Sequence, residues 1–173
     1  MNLAEMSMKI TADNIDLFIF DFDGVLTNNI VHVDQNGNES VSCNRSDGLA
    51  FDLLRKLQKK VYILSTEKNK VVSSRAEKLK VSVIQGVENK SQVIKEIIKK
   101  ESCSLEKVLY VGNDLNDYIA MKMCGFTVCP ADSHPKIKNI SNYVLNKAGG
   151  EGVVRELVED LLDLDLLLIL YGE

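Results

Sequence analysis

Residues 15–20 are apolar except for Asp16, and the run stops abruptly at Asp21 and Asp23, two carboxylates two residues apart, with Gly24 next. An apolar strand that ends in acids and glycine marks the mouth of a parallel sheet, where open α/β folds bind ligands. In extended chain, residues i and i+2 share a face. Asp21 and Asp23 therefore crowd like charges, an arrangement that a cation or a shared proton relieves. Mg²⁺ suits such a place, because it takes oxygen ligands and uses one or two carboxylates together with phosphate. Alone, the pattern is equally a strand-to-turn junction or a fragment of a calcium loop, and the rest of the chain has to decide.

Downstream, strands and helices alternate. Residues 30–33 and 39–41 are short β-prone stretches on either side of Asn36-Gly37, a hairpin turn signal. This hairpin interrupts what would otherwise be a direct β-α connection beside the acidic mouth, as a flap, an oligomer contact or a surface ornament. A helix begins at Ser46-Asp47-Gly48, with Ser46 or Asp47 as its cap and Leu49, Ala50, Leu53, Leu54 and Leu57 on its apolar face. A strand over residues 61–64 ends in Ser65-Thr66-Glu67, and a helix follows over about 69–80. Residues 81–84 form the next strand, and a helix with Val93, Ile94, Ile97 and Ile98 inward follows. A strand over 107–111 leads to Gly112-Asn113-Asp114-Leu115-Asn116-Asp117, and the helix after it stops at Gly125 as a C-terminal cap. Short strands at 126–128 and 143–145 complete the pattern. It predicts an α/β fold with a doubly wound, mainly parallel sheet in one domain over residues 1–173. Right-handed crossovers bring the strand ends, and so Asp21, Asp23, Ser65, Thr66, Asn113 and Asp114, to one edge, with Lys90 in reach.

Composition narrows the function. A net charge of −4 gives no electrostatic case for nucleic acid or an anionic membrane. Residues 1–14 lack the apolar core of a secretory signal, and residues 161–170 carry Asp163 and Asp165 and are too short to span a bilayer. Cys43, Cys103, Cys124 and Cys129 make no C-x-x-C pair, and with His32 and His134 they complete no zinc pattern, so reduced thiols and a cytoplasmic location are expected. The two histidines read as surface or satisfied groups, and Asp132 as a turn residue.

The converging groups equip a site for phosphoryl transfer, in which positioning and charge neutralisation carry most of the catalysis. The acids can hold Mg²⁺, Ser65 and neighbouring N–H groups can take phosphate oxygens, and Lys90 supplies positive charge. No nucleotide P-loop motif is present. No serine or cysteine has a histidine base in pattern, and an Asp nucleophile forming an aspartyl-phosphate fits better.

With these residues in order, the chain resembles the haloacid dehalogenase superfamily of phosphatases over nearly its whole length. The resemblance rests on residues 21–27, then Ser65, then Lys90, then residues 112–117. The lack of a cap-sized insertion, the hairpin and the tail over residues 149–156 are similar to a capless subgroup. That subgroup holds 3-deoxy-octulosonate 8-phosphate phosphatases and nonulosonate (sialic-acid-type) 9-phosphate phosphatases. The resemblance implies Asp21 as nucleophile and Mg²⁺ ligand. It implies Asp23 as general acid and base with a metal-binding carbonyl, Ser65 and Thr66 as phosphate binders, and Lys90 as the neutralising charge. Asn113 and Asp114 would complete the metal site, although Asn113 stands where the family often has Asp. Asn116 and Asp117 would brace that loop. The segment Thr66-Glu67-Lys68 and the helix after it look more like the nonulosonate phosphatases. On that likeness Glu67 would meet sugar hydroxyls, and Arg75 and Lys78 a substrate carboxylate, from a neighbouring subunit of a homotetramer. The bland alternatives are a helix-start acid for Glu67 and a solvated helix face for both bases.

Three functions compete at this point. The first is a Mg²⁺-dependent phosphatase for an acidic keto-sugar phosphate, with a nonulosonate 9-phosphate favoured over octulosonate 8-phosphate. The second is a non-catalytic oligomerising domain of the kind associated with sialic acid activation, an idea that Asn113 keeps open. The third is a phospho-receiver domain, disfavoured because residues 81–84 end in Gln85-Gly86 where that domain needs its acceptor Asp.

Overall fold

The run before Asp21 becomes strand β1 (Leu17–Phe20), whose four side chains are all buried. Leu17 and Ile19 enter the core on one side, Phe18 and Phe20 on the other. A strand covered by helices on both faces must be apolar on both, which is why the run shows no alternation. The computed structural model describes residues 10–173; the reading of the first nine residues lies outside the described residues.

After β1, strands β2 (Thr27–Val33) and β3 (Glu39–Cys43) pair with each other as a separate antiparallel hairpin. Its loop is held by Asp34, whose carboxylate accepts from the Asn36 and Asn38 N–H groups, and Gly37 takes the left-handed conformation the turn requires (φ +79°). The remaining strands are β4 (Lys60–Leu64), β5 (Ser82–Ile84), β6 (Val108–Val111), β7 (Phe126–Cys129) and β8 (Tyr143–Val144). They join β1 in a six-stranded sheet of order β5-β4-β1-β6-β7-β8, and every pairing in it is parallel. The chain thus winds outward from β1 through β4 to β5, then crosses back to β6. The reversal places a crevice at the ends of β1 and β6, the location at which open sheets bind ligands.

Helices α1 (Ser46–Lys56), α2 (Lys70–Leu79) and α6 (Val153–Glu156) cover one face of the sheet; α3 (Lys90–Glu101), α4 (Tyr118–Met123) and α5 (Pro135–Ile140) cover the other. On the first face Phe20 meets Phe51 of α1 edge to face, with ring centres 5.3 Å apart. On the second, Ile94 and Ile97 of α3 pack with Leu17 and Ile19. A π-helical turn over Leu157–Leu161 continues from α6, and helix α7 (Leu166–Tyr171) packs on α1. Among the described residues no helix is long and apolar enough to cross a membrane. All four cysteines are free thiols.

Three local expectations are corrected. Leu49 is exposed and stands outside the buried face of α1. Neither Ser46 nor Asp47 caps α1: Asn44 Oδ1 accepts from the Ser46 N–H (2.9 Å), and Asp47 Oδ1 instead accepts from Val154 and Arg155 N–H (3.0 and 3.1 Å). Asp47 therefore ties the start of α6 to α1. Gly125 is not a left-handed cap either. It is small because a Cβ there would lie 2.0 Å from the Glu106 carbonyl oxygen.

Candidate active site

Strands β1, β4 and β6 are neighbours, so the residues that follow them share one edge. Asp21 follows β1 and is almost wholly buried. Its Oδ1 accepts from the Phe22 N–H (2.7 Å) and pairs with Lys90 Nζ (2.8 Å), the first residue of α3. Lys90 also reaches Asp117 Oδ1 (2.7 Å). One buried ammonium thus serves two buried carboxylates. Burial works against the Lys90 charge, but Asp21 and Asp117 outweigh it and hold the ammonium above its ordinary range. Burial, reinforced by Asp117, pushes Asp21 upward against the pull of Lys90. The cluster is short of positive charge.

Asp117 is the hub of the loop after β6. Its Oδ1 takes the Tyr110 hydroxyl (2.8 Å) as well as Lys90, and its Oδ2 takes the Asn113 N–H (2.9 Å). Gly112 has to be small for this, since a Cβ there would sit 2.7 Å from the Asp117 side chain. Tyr110 carries no motif and was not singled out from sequence; its one signal is a polar tip in an otherwise apolar strand.

The loop leaves one telling vacancy of partners. Asn113 is buried, and its Oδ1 accepts no hydrogen bond. Its amide rests against Gly24, where a Cβ would come within 1.9 Å of Asn113 Nδ2. A buried amide oxygen beside a carboxylate cluster short of positive charge suits a hard cation. Asp114, by contrast, is exposed, and its Oδ1 accepts from the Leu115 N–H (2.7 Å), capping its own turn.

Asp23 is half-buried and accepts weakly from the Thr27 hydroxyl (3.4 Å). Burial raises its pKa, and the nearby charge of Glu67 raises it further. Ser65 is buried at the end of β4, where its main chain bonds to Ile84 O (3.0 Å) and Val87 N (3.1 Å). Its Oγ accepts from the Glu67 N–H (3.1 Å), which leaves the hydroxyl hydrogen free to donate. Asp21, Asp23, Thr66, Asn113 and Asp114 line one cavity of about 340 Å³ with Leu115, Asn116 and Asn29. Asn116, expected only to brace the loop, faces this space, and Asn29 and Leu115 were not anticipated.

None of the three expected substrate contacts lines this cavity, although Glu67 is close enough for its charge to act on Asp23. Glu67 Oε1 accepts from the Lys68 and Asn69 N–H groups (2.6 and 2.8 Å), as a helix-start acid does. Arg75 donates through Nη2 to the Asn44 carbonyl (2.8 Å), while its Nε is buried without an acceptor. Lys78 is exposed, eight residues and about 12 Å along α2 from the helix end at the mouth. Within one subunit neither base lines the cavity.

Comparison with known proteins agrees with this geometry. Residues 49–157 match the haloacid dehalogenase-like hydrolases. The chain is 35% identical over 163 residues to 3-deoxy-D-manno-octulosonate 8-phosphate phosphatase of Escherichia coli K12, covering 94% of this chain and 84% of that one. A Streptomyces avermitilis protein named for the same hydrolase family superposes with a TM-score of 0.88 at 39% identity, covering 91% of each chain. The octulosonate 8-phosphate phosphatase of Moraxella catarrhalis, solved with magnesium, phosphate and its sugar acid, gives 0.83 at 29% identity and 87% coverage of each. The chain belongs to the haloacid dehalogenase-like hydrolases. Within that family it stands with the phosphatases, enzymes that hydrolyse phosphoric monoesters.

Proposed function

We propose that this chain is a Mg²⁺-dependent phosphatase for an acidic keto-sugar phosphate, working through an aspartyl-phosphate on Asp21. The observation that carries the reading is the Asp21–Lys90–Asp117 cluster set against the unpartnered Asn113 oxygen. Asp21, the Asp23 carbonyl and Asn113 would hold the cation, with Asp114 as an outer charge. When bound, the ion supplies charge neutralisation for the phosphoryl oxygens.

The protein's own groups divide the remaining work. Asp21 Oδ1 is engaged by Phe22 and Lys90, so Oδ2 is the oxygen left to attack phosphorus. Lys90 offsets negative charge between Asp21 and the phosphoryl group, and the Ser65 hydroxyl and Thr66 N–H take its oxygens. Asp23, with its pKa raised, carries the proton that the leaving sugar oxygen needs. Once ionised, it draws a proton from the water that cleaves the aspartyl-phosphate.

Two substrates fit. The relatives support octulosonate 8-phosphate, whereas Thr66-Glu67-Lys68 favours a nonulosonate 9-phosphate. In either case Arg75 and Lys78 would reach the substrate carboxylate only from a neighbouring subunit of a homotetramer. Phosphate release from a panel of octulosonate 8-phosphate, nonulosonate 9-phosphates and hexose phosphates tests this. Preference for either sugar acid supports the reading and names the substrate. Preference for a hexose phosphate contradicts it.

A further inference from the structure

Strand β2 bulges beside the active site. Thr27 pairs with Cys43 and Val31 with Val41, so residues 28–30 stand opposite Ser42 alone. Bulges next to active sites serve to re-aim a side chain. At the centre of this one Asn29 takes a left-handed backbone, with φ +61°. Asparagine tolerates that region, and glycine occupies it without strain.

The bulge is fixed on both sides. Thr27 Oγ1 accepts from the Asn29 N–H (3.2 Å), and Asn28 Oδ1 accepts from the Ile30 N–H (3.2 Å). Gly150 closes on it from behind, so tightly that a Cβ would lie 2.5 Å from the Asn28 nitrogen. The outcome is that Asn29, itself exposed, lines the cavity of Asp21 and Asp23, and its carboxamide makes no hydrogen bond among the described residues.

A turn alone would be served as well by glycine; here a side chain is kept, and with Asn116 it adds carboxamide donors to a cavity lined largely by acids. Asp21, Asp23 and Asp114 offer only acceptors when ionised, and the Asn113 amide is packed against Gly24. Asn29 supplies N–H donors, and it comes from the hairpin, not from the strand ends that carry the phosphate groups. We infer that Asn29 is a specificity-determining residue, whose carboxamide holds a hydroxyl or carboxylate oxygen of the organic part of the ester. The inference rests on the phosphatase reading above.

The test compares wild type with Asn29→Gly on two esters: the acidic sugar phosphate that wild type cleaves best, and p-nitrophenyl phosphate, which has neither sugar hydroxyl nor carboxylate. Loss of one such contact is expected to lower kcat/KM for the sugar ester about tenfold further than for the aryl ester, chiefly through KM. The melting temperature should hold or rise, because glycine relieves the left-handed backbone. An equal change on both esters, with wild type active on both, overturns the role of Asn29 and leaves the phosphatase reading standing. Wild type that cleaves no acidic sugar phosphate overturns both.

Discussion

Asp23 illustrates how single residues set the chemistry here. It has to be protonated when the ester bond breaks and ionised when water attacks, so its pKa must lie within the working range. Burial and the Glu67 charge both raise it. Replacing Glu67 by Gln removes the second of these and lowers the Asp23 pKa. The alkaline limb of kcat/KM against pH, where Asp23 loses its proton in the free enzyme, should therefore move to lower pH in Glu67→Gln. A pH–rate profile of the two proteins checks this, and an unmoved limb would detach Glu67 from Asp23. Most of the site was legible at this scale because its residues sit at strand ends in a fixed order. Asn29 was not, since its position depends on a bulge that no local pattern announces. Glu67 has two uses on sequence grounds, sugar hydroxyls or the start of a helix, and the structure engages its Oε1 with the start of α2.

Among the elements, the junction of α1 and α6 depends on Asp47. Its carboxylate is buried, accepts from two α6 N–H groups and leaves Oδ2 without a partner. Burial raises its pKa from an ordinary 3.8 to about 6, against the pull of those two N–H groups and of Arg75 and Arg155. An acid whose pKa is higher in the folded state favours folding below its unfolded pKa, and that contribution is lost as pH rises through the folded value. Wild type should thus lose on the order of 3 kcal/mol from this group between about pH 4 and pH 7. Asp47→Asn keeps an acceptor for α6 without the ionisation. Its stability relative to wild type, from urea melts, should improve as pH rises across that window; a constant difference would contradict the assignment. This junction was invisible in the sequence, because the partners of Asp47 lie more than a hundred residues downstream. The alternation of strands and helices was plain, because β1 and its neighbours are apolar on both faces and the helices on one. Gly125 was misread for a related reason: a glycine after a helix suggests a cap, and only the fold reveals the Glu106 carbonyl against it.

For the whole molecule, the hairpin of β2 and β3 rests on α2 and the core through β3 but leaves the apolar residues of β2 uncovered. Ile30, Val31 and Val33 are each at least half exposed, and a lone two-stranded hairpin is marginally stable in water. Packing of hairpins in a homotetramer would cover them and bring Arg75 and Lys78 of one subunit toward the site of another. Light scattering should give the mass of a tetramer for wild type and a smaller species for the double variant Val31→Asp, Val33→Asp. A tetramer that survives both charges would place the interface elsewhere.

The measurement that bears most directly on the account is phosphate release with Mg²⁺ from an acidic sugar phosphate, with wild type and Asp21→Asn side by side. The account predicts turnover by wild type and a loss of at least about a thousandfold in the variant, because the amide cannot form the aspartyl-phosphate. Asp21→Asn that retained wild-type turnover would contradict the central role of Asp21. Wild type that released no phosphate and bound no Mg²⁺ would contradict the phosphatase reading, pointing to Asn113 as a disabling change and to a non-catalytic oligomerising domain.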